Sequence, residues 1–103
     1  MQKLVFFKLC ATICVMLTKR KKQTAIKRVR RNDKDTGSSE VQIALLTKKI
    51  DELASHLKQN HKDKHSRRGL LQMVADRHKL VRYLKRKDAD KYKIVAKKVG
   101  LKK

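Results

Sequence analysis

A chain of 103 residues is one small domain with room for a short appendage. Thirty Lys and Arg against nine Asp and Glu leave a formal net charge of +21, and only a polyanion relieves that much self-repulsion: nucleic acid, or the surface of an anionic membrane. With no Pro and three Gly a turn-rich sheet is disfavoured. Two Tyr and two Phe are too few for a single-strand binder that stacks successive bases on aromatic rings. What remains is a helical protein that reads the shape of folded RNA or duplex DNA.

Residues 1–17 form an apolar N-terminal extension interrupted by Lys3 and Lys8. The uninterrupted part is far shorter than the ~20 residues that span a bilayer. The basic start and apolar centre faintly resemble a signal peptide, but the small-residue cleavage pattern is missing and a very basic segment follows. Three readings stay open: a start called upstream of a true one at Met16, an organelle-targeting leader, or a genuine extension. The first is favoured because the basic body begins directly after Met16. Cys10 and Cys14 read as two small apolar residues rather than a disulfide framework, a redox pair or a metal pair.

Residues 18–34 are a basic helix or arm carrying Lys19, Arg20, Lys21, Lys22, Lys27, Arg28, Arg30 and Arg31. Ala25, Ile26 and Val29 are spaced for one face of a short helix; the alternative is a solvated arm that orders on its partner. Residues 32–38 are a loop. Ser39 then reads as an N-cap, with Gln42 completing a capping box before an apolar run. Ile43, Leu46, Ile50, Leu53 and Leu57, widened by Val41, Leu45 and Ala54, predict an amphipathic helix of about five or six turns ending near Asn60. After a polar turn over His61–His65, Asp63 caps a second helix from about Lys64 to Lys87, striped by Leu70, Met73, Val74, Leu80, Val81 and Leu84. Asp88 caps a third, striped by Tyr92, Val95 and Val99 and stopped by Gly100.

Two long helices joined by a short turn lie antiparallel, and a third covers the open side of their seam. The expected fold is therefore all-α, with residues 35–103 as the nucleic-acid-binding domain. Its expected core is Leu46, Ile50, Leu53, Leu57, Leu70, Val74, Val81, Leu84, Val95 and Val99. A core this small is marginal alone, and a bound partner adds stability by mass action.

Motifs for chemistry are weak. In Asp33-Lys34-Asp35-Thr36-Gly37 the Gly falls one position early for a calcium loop, and Ala44 stands where a bidentate Glu is needed. His61 and His65 are too far from Cys10 and Cys14 for a zinc finger. His56, His61, His65 and His78 read as polar surface groups or RNA hydrogen-bonders. Neither a catalytic arrangement nor a Gly-rich phosphate loop is present, so no enzyme, cofactor or metal is expected. A helical architectural protein of DNA fits the charge as well as an RNA binder does. A membrane-surface protein anchored by residues 1–17 is a further alternative.

Two stretches are specific: Asp35-Thr36-Gly37-Ser38-Ser39-Glu40-Val41-Gln42-Ile43-Ala44-Leu45-Leu46-Thr47, and His61-Lys62-Asp63-Lys64-His65-Ser66-Arg67-Arg68-Gly69-Leu70-Leu71-Gln72-Met73-Val74. With Tyr83-Leu84-Lys85-Arg86-Lys87-Asp88 and the ending Gly100-Leu101-Lys102-Lys103, they closely resemble the small-subunit ribosomal protein fifteen family of bacterial and organellar type. The resemblance runs from about Asp35 to the end. It implies a mobile first helix followed by a three-helix bundle, and an early assembly protein of the small subunit's central domain. The implied RNA target is a three-way junction with a nearby duplex minor groove that carries a G·U/G·C element. By matching position, Thr36, Gly37 and Gln42 would touch the minor-groove element, with Tyr83 and Arg86 also on RNA. His56, Asp63 and Ser66 would hold the junction, and Lys49, Arg67 and Arg68 complete the RNA-binding set. Implied partners are small-subunit ribosomal RNA, other small-subunit proteins, large-subunit RNA across the subunit interface and, for some family members, their own messenger RNA; no membrane is implied. The implied location is the ribosome of a bacterium, plastid or mitochondrion. The first helix departs from the family in being far more basic and in lacking the usual Phe-Gly near Val29-Arg30.

Overall fold

The computed structural model describes residues 17–101. The apolar stretch through Met16, with Cys10 and Cys14, and the terminal Lys102 and Lys103 lie outside the described residues. Among the described residues there are four α-helices and no strand: α1 (Lys19–Val29), α2 (Ser39–Gln59), α3 (Lys64–Lys87) and α4 (Ala89–Val99). Helices α2 and α3 form the expected antiparallel hairpin. On it α1 packs against α2, and α4 folds back against the far end of α3.

Local chemistry sets the helix ends. The α2 N-cap is Ser38 rather than Ser39, its Oγ accepting from the Val41 N–H at 3.4 Å. Asp35 decides between the neighbouring serines. Its Oδ1 accepts from the Ser38 N–H at 3.2 Å and holds that residue extended, so Ser39 becomes the first helical position. Gln42 closes no capping box on Ser39 and instead donates from Nε2 to the Gly37 carbonyl at 3.1 Å. Asp63 caps α3 as expected, accepting the Ser66 N–H on Oδ1 at 3.0 Å. At the start of α4 Asp88 occupies the cap position without making a side-chain cap, because its carboxylate is taken by Lys91 Nζ at 2.6 Å. Gly100 stops α4 in the left-handed region, φ 73°, a conformation only glycine adopts freely.

The core is displaced from the expected one. Of the ten predicted residues, Leu53, Leu84 and Val95 are buried, whereas Leu46, Ile50, Leu57, Leu70, Val74, Val81 and Val99 are only half-buried. The deepest side chains are Ile43, Leu84 and Val41, joined by Ala44 and by Val29 of α1. All four helices converge where α2 starts and α3 ends, while towards the hairpin turn the α2–α3 seam is covered on fewer sides. Leu17, grouped above with the apolar extension, is buried as well.

Helix α1 is a poor helix locally. Four cations crowd its first turn, at the positive end of the helix dipole, and Thr18 makes no side-chain cap. Tertiary contacts hold it. Ala25 and Val29, one turn apart, are buried, and Lys21 pairs with Glu52 of α2. Just past its end Arg31 grips Glu40 with both arms of its guanidinium, Nε donating to Oε2 at 2.8 Å and Nη2 to Oε1. Glu40 is 3% exposed, and Arg31 supplies the hydrogen-bond partner that a buried carboxyl group needs.

Because Leu84 lies where the four helices meet, Leu84→Ala is expected to lower unfolding stability by about 2–5 kcal/mol. Leu71, 66% exposed on the same helix, is expected to tolerate alanine within about 0.5 kcal/mol. Urea unfolding followed by helical circular dichroism checks both.

Candidate nucleic-acid interface

The hairpin turn between α2 and α3 assembles a polar array before any partner is present. Asp63 is its hub. Besides the Ser66 N–H, its carboxylate accepts the Ser66 hydroxyl on Oδ2 at 2.6 Å, and His56 Nε2 approaches the same oxygen at 3.1 Å. On the far side of the ring Asn60 Nδ2 faces His56 Nδ1 at 3.5 Å and also donates to the His56 carbonyl at 3.4 Å. A carboxylate only accepts and an amide nitrogen only donates. The neutral ring therefore carries its proton on Nε2 and accepts on Nδ1. The imidazole is largely enclosed, its side chain 12% exposed, and so cannot turn freely. The Ser66 hydroxyl and amide, then His56, stabilise the charged form of Asp63 and hold its carboxyl well below the usual carboxylate range. Arg67 folds onto the turn, donating from Nη2 to the His61 carbonyl at 3.0 Å, while Arg68 is exposed.

A second group lies at the other end of the hairpin. Thr36, Gly37 and Gln42 are exposed. Gly37 has no positive φ, and a Cβ placed on it would meet nothing within 4 Å. Neither conformation nor internal packing requires a glycine there. Gln42 also lines a groove between α2 and α3 with Leu45, Leu46, Lys49, Lys79 and Leu80, together with Asp76, which Lys79 and Gln72 partner. About one turn beyond Leu80, Tyr83 is 45% exposed and accepts a hydrogen bond from Lys87 Nζ at 3.1 Å. That bond to Tyr83 raises the Lys87 pKa. Arg86 is exposed on the same helical end.

Helix geometry joins the two groups. Gln42, Lys49 and His56 are spaced by seven residues, close to two turns, and so form one stripe along α2, with roughly 10 Å between neighbours and about 21 Å from end to end. The eleven residues expected from the sequence thus fall into two groups at opposite ends of one hairpin, with Lys49 between them. Sequence reasoning missed Asn60, whose carboxamide fixes the His56 tautomer, and Lys79 in the groove. The first was legible in principle as a polar residue one turn after His56 at a helix end. The second depends on how α2 and α3 face one another, which no local spacing encodes.

A carboxylate whose folded pKa is depressed contributes stability above its unfolded value, near 3.9, and that stability is lost as pH falls towards the folded value. Asp35 and Asp88 are also depressed, Asp35 by Ser38 and by the Arg31 and Gly37 backbone against its desolvation, and Asp88 chiefly by Lys91. Comparison with Asp63→Asn therefore isolates the hub. Melting temperatures between pH 5 and pH 2 are expected to fall more steeply for the parent chain than for Asp63→Asn. Parallel curves would remove Asp63 from the account.

Comparison with known proteins identifies the scaffold on which these groups sit. The family model described as Ribosomal protein S15 matches residues 21–102. The chain is similar to "Small ribosomal subunit protein uS15" of Carboxydothermus hydrogenoformans, 52% identical over 87 residues, which cover 84% of this chain and 98% of that protein. It is 55% identical over 82 residues to the protein of the same description from Cupriavidus necator, covering 80% and 92%. The Clostridium botulinum protein is 52% identical over 87 residues, covering 84% and 100%. A family match over most of the chain, relatives above half identity covered almost whole, and the four-helix architecture agree, and the chain belongs to the ribosomal protein S15 family.

Proposed function

We propose that this chain, a structural component of the small ribosomal subunit, binds central-domain ribosomal RNA at two places: a three-way junction and the minor groove of a nearby duplex. The observation that supports this most is the preformed His56–Asp63–Ser66 array, in line with Lys49 and Gln42 on one stripe. An acidic residue on a protein of charge +21 is repelled by phosphate unless it makes a specific hydrogen bond. After its three internal partners, the Asp63 carboxylate keeps about one lone-pair position free.

The chemistry of the two groups favours an allocation opposite to the one the family resemblance suggested. The guanine amino group is the one base-edge donor in a minor groove, and an A-form minor groove also presents 2′-hydroxyls. A carboxylate acceptor beside a hydroxyl and an imidazole suits that G·U/G·C surface, so the hairpin-turn array takes the minor groove. Thr36, Gly37 and Gln42 suit the junction. There a bare backbone permits close approach, exposed Tyr83 offers a stacking face, and Arg86 reaches phosphate. Lys49, Arg67 and Arg68 supply charge between and beside them.

Within the subunit the same reading makes the chain an early assembly protein, in contact with other small-subunit proteins and, across the interface, with large-subunit RNA. Binding of its own messenger RNA would reuse the same two groups on a junction-like fold. The relatives named are bacterial, which favours a ribosome of bacterial type. No helix among the described residues is long and apolar enough to cross a membrane.

Filter binding over a salt series tests the proposal, comparing a central-domain RNA that carries both the three-way junction and the neighbouring G·U/G·C duplex, a scrambled RNA of equal length and duplex DNA. The central-domain RNA is expected to be bound well above the other two at physiological salt; equal binding that collapses together with salt contradicts the reading. His56→Ala and Ser66→Ala are each expected to lower the specific-to-nonspecific ratio by about 1–3 kcal/mol. Equal losses on central-domain and scrambled RNA would remove both residues from recognition.

A further inference from the structure

Arg31 belongs by sequence to the basic segment, but its bonds run inward. Among the described cations of that segment, Lys21, Arg30 and Arg31 have carboxylate partners, and only the partner of Arg31 is buried. Two of its three guanidinium nitrogens are taken by Glu40, nine residues further on in the first turn of α2. The planar fork meets both oxygens of the carboxyl group at once, which the single ammonium of a lysine cannot do.

The segment closed by this pair, residues 31–40, contains Thr36 and Gly37 at its exposed tip. Further ties run inside it. Asp35 accepts the Arg31 N–H on Oδ2 at 3.4 Å and the Ser38 N–H on Oδ1 at 3.2 Å, so one carboxylate joins the entry of the loop to the cap of α2. The Asp35 N–H donates to the Asn32 carbonyl at 3.0 Å. At the tip the Gly37 carbonyl accepts from Gln42 Nε2 at 3.1 Å. A loop with a glycine and no proline has little stiffness of its own, so these bonds set its shape. Arg31 takes part in two of them, through its side chain and through its backbone N–H.

We propose that Arg31 is a positioning residue for junction recognition: without touching RNA, it clamps residues 31–40 through Glu40 and Asp35 and holds Thr36 and Gly37 in the geometry that the junction needs. The inference rests on the two-group reading above, which places Thr36 and Gly37 on the junction. Binding that comes from phosphate contacts follows charge, whereas binding that comes from a pre-ordered loop follows geometry.

Two variants set charge against geometry. Arg31→Lys keeps the charge and loses the fork. Asp35→Asn raises the net charge by one, but its amide accepts on one atom only and cannot hold the Arg31 and Ser38 N–H groups together. Filter binding of the full chain compares three RNAs: the three-way junction without the G·U/G·C duplex, that duplex without the junction, and a scrambled RNA. Both variants are expected to lower the preference for junction over scrambled RNA by about fivefold or more, the smaller loss that one misplaced base-level contact produces. The preference for the duplex and the salt slope on scrambled RNA are expected to stay as in the parent, and Asp35→Asn is expected to bind scrambled RNA no more weakly. Backbone amide relaxation of the RNA-free protein is expected to show added fast motion at Thr36 and Gly37 and none at Ser66. Helical circular dichroism establishes that the variants fold; if Arg31→Lys does not, Asp35→Asn carries the test. The proposal is overturned if Arg31→Lys binds like the parent while Arg31→Gln lowers the salt slope by about 0.7–0.9, which would make Arg31 a phosphate contact. It is also overturned if the loop loosens with junction preference intact, which would make the clamp structural only, or if the loop stays rigid in both variants. Absence of junction preference in the parent chain contradicts the two-group reading instead, and the relaxation measurement then still tests the clamp.

Discussion

The carboxylate of Asp63 sits where the chain reverses direction, and three hydrogen bonds converge on it from the residues on either side of the turn. Without the Ser66 amide bond, α3 loses its cap; without the His56 contact, the side-chain link from the last turn of α2 to the start of α3 is lost. The hairpin is the frame on which α1 and α4 pack, so this reversal sets the relative position of the other elements. The same bonds that close the turn also present an oriented imidazole, a hydroxyl and an ionised carboxylate at one end of the molecule. Under the proposed function, fold and recognition share these atoms. A side chain already held by its neighbours loses little conformational freedom when RNA arrives.

A chain of this charge must build its core from few residues and keep its cations apart. It does so by concentrating burial at one end, where Val29, Ile43, Ala44, Leu84 and Val95 meet, and by leaving the hairpin end slender and polar. Arg31 and Glu40 carry the exception, a buried carboxylate held by a half-exposed guanidinium between α1 and the start of α2. Removing Arg31 leaves the buried carboxyl group of Glu40 without its partner, so the pair fixes how α1 enters the bundle more than it adds net stability. The long cationic flanks stay on the outside, where a polyanion can neutralise them.

Much of this was legible from residue order. The periodicity of Ile43 through Leu57 and of Leu70 through Leu84 located both long helices, and Asp63 and Gly100 marked a start and a stop correctly. Ser38 was missed in favour of Ser39 because the choice depends on Asp35, three residues upstream, accepting one particular N–H. Asp88 failed as a side-chain cap because Lys91 competes for its carboxylate. The core was misplaced towards the turn because the reading treated the hairpin as self-contained. Ala25, Ile26 and Val29 of the basic helix read as one face of a short helix, but nothing in their spacing placed Val29 in the core cluster. The expected site residues came only from the family resemblance. Their grouping, and the single stripe formed by Gln42, Lys49 and His56, required the helices to be in place.

The central claim is that the hairpin-turn array is formed before RNA binds. The Ser66 amide reports on it most directly: it lies in the first turn of α3, where no backbone carbonyl is available to it, and its partner is Asp63 Oδ1. Hydrogen exchange of that amide in the RNA-free protein, measured by nuclear magnetic resonance, is predicted to be strongly slowed relative to an unstructured chain, and to change little on adding the central-domain RNA. Free exchange that becomes protected only with RNA would contradict the account and make the array a product of binding.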